Sequence, residues 1–196
     1  MAGIRFQLKA PNDPLYLGLD VGSVFARVAV VDAIDHLLLT DVERIYRGPV
    51  TAVSSLLDRL RERIPLERLA AAGVTGSARQ LYHGQTGWQL FSSPYAAISG
   101  LMWDGSDPKT IVAIGGQSAL VIGLPDGLNK PWRVARSPLC AAGTGRFLEQ
   151  QASRLGIAIE EFGPAALEWS DPPPRIAARC SVFAKSDLIH LQQKGW

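Results

Sequence analysis

The stretch LYLGLDVGSVFARVAVVDA, residues 15–33, carries the pattern that decides the fold. Two runs rich in leucine and valine flank a turn at Gly22 and Ser23, which predicts a β-hairpin. Asp20 ends the first run, and a carboxylate at a strand end beside outward-pointing turn amides suits a hydrated Mg²⁺ next to a phosphate chain. Arg27, on the returning strand, would add positive charge near those phosphates. An ordinary hairpin with an acidic turn is the alternative interpretation.

The residues after this hairpin predict the rest of a first α/β lobe. A third strand is expected in HLLLTDVERIY (36–46), and residues 50–64 place apolar side chains at helical spacing. LAAAGVTG (69–76) predicts a short buried strand whose Thr-Gly turn would line the same site. The segment 92–108 is rich in serine, proline and glycine, so we expect the lobe boundary there. The predicted organisation is a lead-in at 1–14, a first lobe at 15–105 and a second lobe at 106–196.

The second half opens in the same way as the first. TIVAIGGQSALVIGL (110–124) predicts strand, Gly-Gly turn and strand, which suggests an internal duplication. Gly115 and Gly116 would let the backbone approach a second phosphate group closely, although any tight hairpin uses such glycines.

Two helices are expected further along the chain. The first runs from about Gly145 to Leu155, and Gly156 suits the left-handed position that ends a helix. The second would be capped by Ser181 or Ser186 and would stop at Gly195. The residues predicted to form the buried face of the first helix are Phe147, Leu148, Ala152 and Leu155.

The two cysteines of the chain, Cys140 and Cys180, each stand just before one of these helices. A thiolate there is stabilised by the helix dipole and by free backbone amides. Zinc or a [4Fe-4S] cluster needs about four protein ligands, so two cysteines from each of two subunits would complete one site across a symmetric dimer. Two inert buried thiols are the alternative.

Composition excludes several classes of partner. The net charge is +2 with acids and bases mixed along the chain, which gives no electrostatic argument for nucleic acid or a membrane surface. The N-terminus has no apolar signal region, and no apolar run reaches the roughly 18 residues of a membrane span. The three histidines have no metal-binding spacing. We therefore expect a cytoplasmic protein.

The motifs CAAGTGRFLEQQASRLGI (140–157) and RCSVFAKSDLIHLQQKG (179–195) closely resemble the BadF/BadG/BcrA/BcrD ATPases. These are the activators of 2-hydroxyacyl-CoA dehydratases and benzoyl-CoA reductases. GLDVGS (18–23) and IGGQ (114–117) occur in the order that this family requires. The sequence around the cysteines looks like that of the first activator module of the family's long, multi-module members. The resemblance implies the α/β fold of the acetate and sugar kinase, Hsp70 and actin superfamily. Two ribonuclease H-like lobes would then hold ATP in a cleft, with a C-terminal part of the fold missing here.

The resemblance also implies roles for individual residues. Asp20 is the expected catalytic residue, and Cys140 and Cys180 are the expected ligands of a [4Fe-4S] cluster shared between two subunits or modules. ATP or ADP would bind with Mg²⁺, and ATP turnover would change the angle between the lobes and drive an electron from a donor such as ferredoxin or flavodoxin into a dehydratase or CoA-ester reductase. The expected cofactor-binding residues are Gly22, Ser23, Arg27, Gly115, Gly116, Gln117, Gly143, Thr144 and Gly145.

Some positions depart from the family pattern. Ala113 and Ser118 stand where the second phosphate loop normally carries aspartates, and Arg27 stands where a lysine is usual. Two hypotheses follow: an ATP-dependent electron donor, or a degenerate module that no longer hydrolyses ATP and has a structural or electron-relay role beside a competent one. A small-molecule kinase ranks last, because it leaves both cysteine motifs without a purpose.

Overall fold

The computed structural model describes residues 13–127, 130–137, 144–178 and 180–196. They form two compact units, divided between Trp103 and Asp104. The first unit contains β1 (Leu15–Val21), β2 (Phe25–Val31), β3 (Leu37–Arg44), α1 (Pro49–Arg61), β4 (Leu69–Thr75), β5 (Trp88–Leu90) and α2 (Ser93–Trp103). The second contains β6 (Thr110–Ile114), β7 (Ala119–Gly123), β8 (Arg133–Arg136), α3 (Gly145–Leu155), α4 (Ile159–Leu167) and α5 (Ser181–Gln193).

The first unit is built on a five-stranded mixed sheet in the order β3-β2-β1-β4-β5. β1, β2 and β3 form an antiparallel meander, whereas β4 pairs with β1, and β5 with β4, in the parallel direction. β1 is the central strand of this order, and every second side chain from Leu15 to Val21 is buried on one face of the sheet. Because β1 and β4 are parallel neighbours, their carboxyl ends lie side by side.

Helix α1 covers one side of this sheet and completes its core. Pro49 begins the helix, where its missing amide proton costs nothing. The apolar residues that α1 buries against β2 and β3 are Ala52, Val53, Leu56 and Leu60. Sequence periodicity predicted this helix and its buried stripe.

The segment 92–108, interpreted from its composition as a soft boundary, contains the helix α2. Two residues of the sequence mark the start of this helix. The Ser92 hydroxyl accepts a hydrogen bond from the Tyr95 amide at 3.4 Å, and Pro94 lies in the first turn. Ile98 anchors the helix and is fully buried. The helix has almost no amphipathic pattern, so hydrophobic periodicity does not reveal it.

The second unit contains an antiparallel sheet in the order β6-β7-β8. The predicted hairpin across the Gly-Gly turn is confirmed, as are the bounds of α3 and the left-handed Gly156, whose φ is 72°. The predicted buried face of α3 is wrong in part: Leu148 and Leu155 are exposed, while Gln151 and Ala152 are buried. The packing of α3 within this unit, rather than its apolar pattern, selects the buried side.

The start of α5 also differs in detail from the prediction. Cys180 occupies the N-cap position, and Ser181 is the first helical residue. Neither predicted serine caps the helix, since Ser186 instead donates its hydroxyl to the Val182 carbonyl at 3.1 Å. None of the helices in the described ranges is both long and apolar enough to cross a membrane.

Candidate functional site

Asp20 lies at the carboxyl end of β1, opposite Arg27 on β2. The two side chains form an ion pair in which Arg27 Nη1 is 3.4 Å from Asp20 Oδ2, and they are 56% and 41% exposed. A long, exposed pair of this kind contributes little to stability. Both charges are therefore available to a ligand that offers stronger partners, such as Mg²⁺ for the carboxylate and a phosphate for the guanidinium.

The turn after Asp20 is closed by Gly22. Its amide donates to the Phe25 carbonyl at 3.0 Å, and a Cβ at Gly22 would stand only 2.9 Å from the same oxygen. The role of Gly22 in this turn is thus steric, and its amide is already used. The Ser23 amide donates to no other residue in the described ranges, so it is available to a phosphate oxygen.

The turn after β4 lies beside Asp20 as well. Thr75 is in register with Asp20 across the parallel pair, and Gly76 has a φ of 95°. A Cβ at Gly76 would lie 2.6 Å from Asp20 Oδ1 and still closer to the Val21 carbonyl oxygen. The Thr-Gly turn that the sequence singled out thus packs directly on Asp20.

The glycine turn between β6 and β7 repeats the geometry of the first turn. The Gly115 amide donates to the Ser118 carbonyl at 2.7 Å, just as Gly22 does to Phe25. Gly116 and Gln117 follow in the turn, and their amides donate to no other residue of the described ranges. Ala113 and Ser118 place no carboxylate beside this turn.

The same turn holds the start of α3. The Gly115 carbonyl accepts a hydrogen bond from the Gly145 amide at 2.9 Å, and the Gly116 carbonyl accepts one from the Arg146 amide at 3.0 Å. A Cβ at Gly145 would be 3.3 Å from the Gly115 oxygen, so a glycine suits this close approach. Thr144, just before it, is fully buried. The amides that begin α3 are engaged by the glycine turn, an arrangement that sequence reasoning did not anticipate.

Cys180 lies directly before the first turn of α5. It is a free, partly exposed thiol, and its carbonyl accepts a hydrogen bond from the Ala184 amide at 2.9 Å. The chain leading to it is tied to the same helix, because the Asp187 carboxylate accepts a hydrogen bond from the Ala177 amide at 2.9 Å. Cys140 and Gly143 lie outside the described residues. Within the described part of the chain, no three His, Cys, Asp or Glu residues are grouped so as to hold a metal ion.

A central mixed sheet with an aspartate at a strand end and glycine turns beside it defines an α/β protein of the actin, Hsp70 and sugar kinase type, the fold of the activator ATPases. The model of the BadF/BadG/BcrA/BcrD ATPase family matches residues 17–196, and the chain belongs to this family. The resemblance drawn from the cysteine motifs is thereby confirmed.

One sequence relative and two solved structures illustrate the relationship. The (R)-2-hydroxyglutaryl-CoA dehydratase activating ATPase of Acidaminococcus fermentans is 27% identical over 183 residues, which cover 91% of this chain and 68% of the relative. The crystal structure of component A of the (R)-2-hydroxyglutaryl-CoA dehydratase from A. fermentans has a TM-score of 0.78 at 25% identity and matches 93% of this chain and 70% of its own. The activator of the 2-hydroxyisocaproyl-CoA dehydratase from Clostridium difficile, solved with bound ADPNP, has a TM-score of 0.76 at 25% identity and matches 93% and 67%. This chain spans about two thirds of their length.

Proposed function

We propose that this chain is an ATP-dependent activator module that passes electrons through an iron-sulfur cluster to a CoA-ester dehydratase or reductase. Family membership supports the ATPase half, and the relatives that activate 2-hydroxyacyl-CoA dehydratases support the class of partner. A ferredoxin or flavodoxin is the proposed electron donor.

The observation that carries the proposal is the contact between the glycine turn and α3. The carbonyls of Gly115 and Gly116 hold the first two amides of α3, and Cys140 lies five residues before Gly145 in the sequence. A phosphate that binds at Gly116 and Gln117 would shift this turn, and the start of α3 would have to follow it. Such coupling requires that ATP and ADP favour different positions of the turn.

The residues of the first unit fit a nucleotide with Mg²⁺. Asp20 is partly exposed and paired only through a long contact, and Ser23 has an uncommitted amide in the described structure. Gly22 and Gly76 allow the close backbone approaches that shape the two turns beside Asp20. We assign Asp20 to the waters of the metal ion, Ser23 to a phosphate oxygen and Arg27 to the phosphate charge. Gly115, Gly116 and Gln117 are the proposed phosphate-binding residues of the second unit.

Cys180 and Cys140 are the proposed ligands of the cluster. The bound cluster would supply one-electron transfer. The N-terminus of α5, directly after Cys180, carries a positive partial charge that would stabilise the more negative, reduced state of the cluster. Since one chain has two cysteines, a second copy or a second activator module would supply the other two ligands.

Iron and acid-labile sulfide content, measured together with molar mass on protein prepared without oxygen, tests this proposal. We expect about four irons and four sulfides per two chains, as for one shared [4Fe-4S] cluster. Cys180→Ala and Cys140→Ala should lose both the iron and the dimer. Ser186→Ala is the matched control on α5, because its hydroxyl bonds within its own helix. An iron-free monomer that is folded under these conditions would refute the shared cluster.

The second candidate is a module that binds nucleotide without hydrolysing it. Ala113 and Ser118 favour it, because neither can supply a carboxylate to a metal ion or an attacking water beside the second turn. In this case the chain would have a structural or electron-relay role beside a competent module, and the two candidates differ in ATP turnover.

A further inference from the structure

We propose that Thr75 is a positioning residue of the nucleotide site, whose hydroxyl holds the Asp20 carboxylate when a magnesium nucleotide is bound. This inference rests on the proposed function, and it gives a specific role to the threonine of the Thr-Gly turn, which the sequence predicted only to line the site. It is argued from strand register, from burial and from the partners of Asp20.

Strand register places the two side chains together. β1 and β4 are parallel, and Asp20 pairs with Thr75 as Leu19 pairs with Val74. Leu19 and Val74 are both buried in the core. Paired residues of neighbouring strands point to the same face, and successive residues alternate. Asp20 and Thr75 therefore share the opposite face, with strands about 4.8 Å apart.

The Thr75 hydroxyl makes no hydrogen bond in the described structure. Its Oγ1 atom is buried and has no hydrogen-bond partner among the described residues. A buried hydroxyl without a partner lowers stability, and a valine of nearly the same shape would avoid that cost. A hydroxyl at this position is therefore expected to gain a partner in another state of the site.

Asp20 is the group that can become this partner. Its Oδ2 is held by Arg27 at 3.4 Å, and its Oδ1 faces the Gly76 turn that follows Thr75. A phosphate attracts an arginine through shorter, charge-assisted hydrogen bonds. Once Arg27 turns to the phosphate, the carboxylate is free to accept the Thr75 hydroxyl proton in a hydrogen bond, which fixes its orientation toward the waters of Mg²⁺.

The test measures the dissociation constant of ADPNP with Mg²⁺ and the melting temperature of the nucleotide-free chain. Thr75→Val should weaken Mg–ADPNP binding about 10-fold, with an unchanged or higher melting temperature. Thr75→Ser, which keeps the hydroxyl, should bind as the wild type does. In an Asp20→Ala background, Thr75→Val should cause little further weakening, because the hydroxyl acts through the carboxylate.

Tyr82→Phe is the matched control. Tyr82 also has a buried hydroxyl without a partner in the described structure, but its ring belongs to the core and stacks on Trp88. This variant should raise or keep the melting temperature and leave nucleotide binding unchanged. Wild-type affinity in Thr75→Val, or equal weakening with and without Asp20→Ala, would overturn the inference alone. A wild-type chain that fails to bind Mg–ADPNP would overturn the nucleotide half of the proposed function as well.

Discussion

Gly76 meets the strictest steric demand among the described glycines. Its φ of 95° is strained for any residue with a Cβ, and that Cβ would also overlap Asp20 Oδ1 and the Val21 carbonyl. We expect Gly76→Ala to lower the free energy of unfolding by more than about 3 kcal/mol, as measured by urea denaturation.

Gly84 provides the control for backbone strain alone. Its φ is 84°, but a Cβ there would meet nothing within 4 Å. Gly84→Ala should therefore cost only about 1 kcal/mol. If both variants lose the same stability, the close approach of Gly76 to Asp20 is not what the turn requires.

Arg59 joins α1 to β3 through two carboxylates on one face of the strand. Its Nε lies 2.8 Å from Asp41 Oδ2 and its Nη1 lies 2.9 Å from Glu43 Oε2. The hydrogen bond from Arg59 is the main cause that holds the pKa of Asp41 below its usual value of 3.8. A lowered pKa adds stability that is present above the pKa of the unfolded chain and is lost as the pH falls through that of the folded chain.

Asp41→Asn should accordingly lower stability by about 0.5–1 kcal/mol at pH 7. The deficit should shrink once the pH falls below about 4, because Asp41 of the unfolded wild-type chain then begins to bind a proton, and Asp41 of the folded chain follows at its lower pKa. Asp58→Asn is the control, since Asp58 and Arg61 are both exposed and their ion pair is 3.5 Å long. Urea denaturation from pH 3 to pH 7 measures the difference. A deficit that does not depend on pH would mean that Asp41 acts through packing alone.

The helices differ in how well they can be predicted from their sequences. α1 has an amphipathic stripe and α3 has its left-handed glycine. The bounds of α3 were predicted to the residue, whereas α1 runs from Pro49 to Arg61 where a helix over 50–64 was predicted. α2 is apolar on most sides, and its signals are Ser92 and Pro94 rather than a periodicity. A pattern marks a helix in advance only when one face is polar.

For the chain as a whole, ATP turnover separates the two candidate functions. We expect protein prepared without oxygen to hydrolyse ATP, and Asp20→Ala to reduce the rate on the order of 100-fold, because the group proposed to orient the metal waters is removed. Asp107→Ala is the control, since its exposed carboxylate pairs with Lys109 near the chain surface. Binding of ATP without turnover would favour the non-hydrolysing module instead.

Local chemistry sufficed to predict both hairpins, their glycine turns, the amphipathic α1 and the position of Cys180 before α5. Alternating apolar residues and turn glycines act on their near neighbours along the chain, so these features can be read in short windows. The pairing of Asp20 with Thr75 joins residues 55 positions apart, and the hydrogen bond from Gly145 to Gly115 joins residues 30 positions apart. These contacts, like the side of α3 that is buried, depend on strand order and packing between distant segments. No short window of sequence encodes them, and the folded chain alone brings the unpartnered threonine to the aspartate.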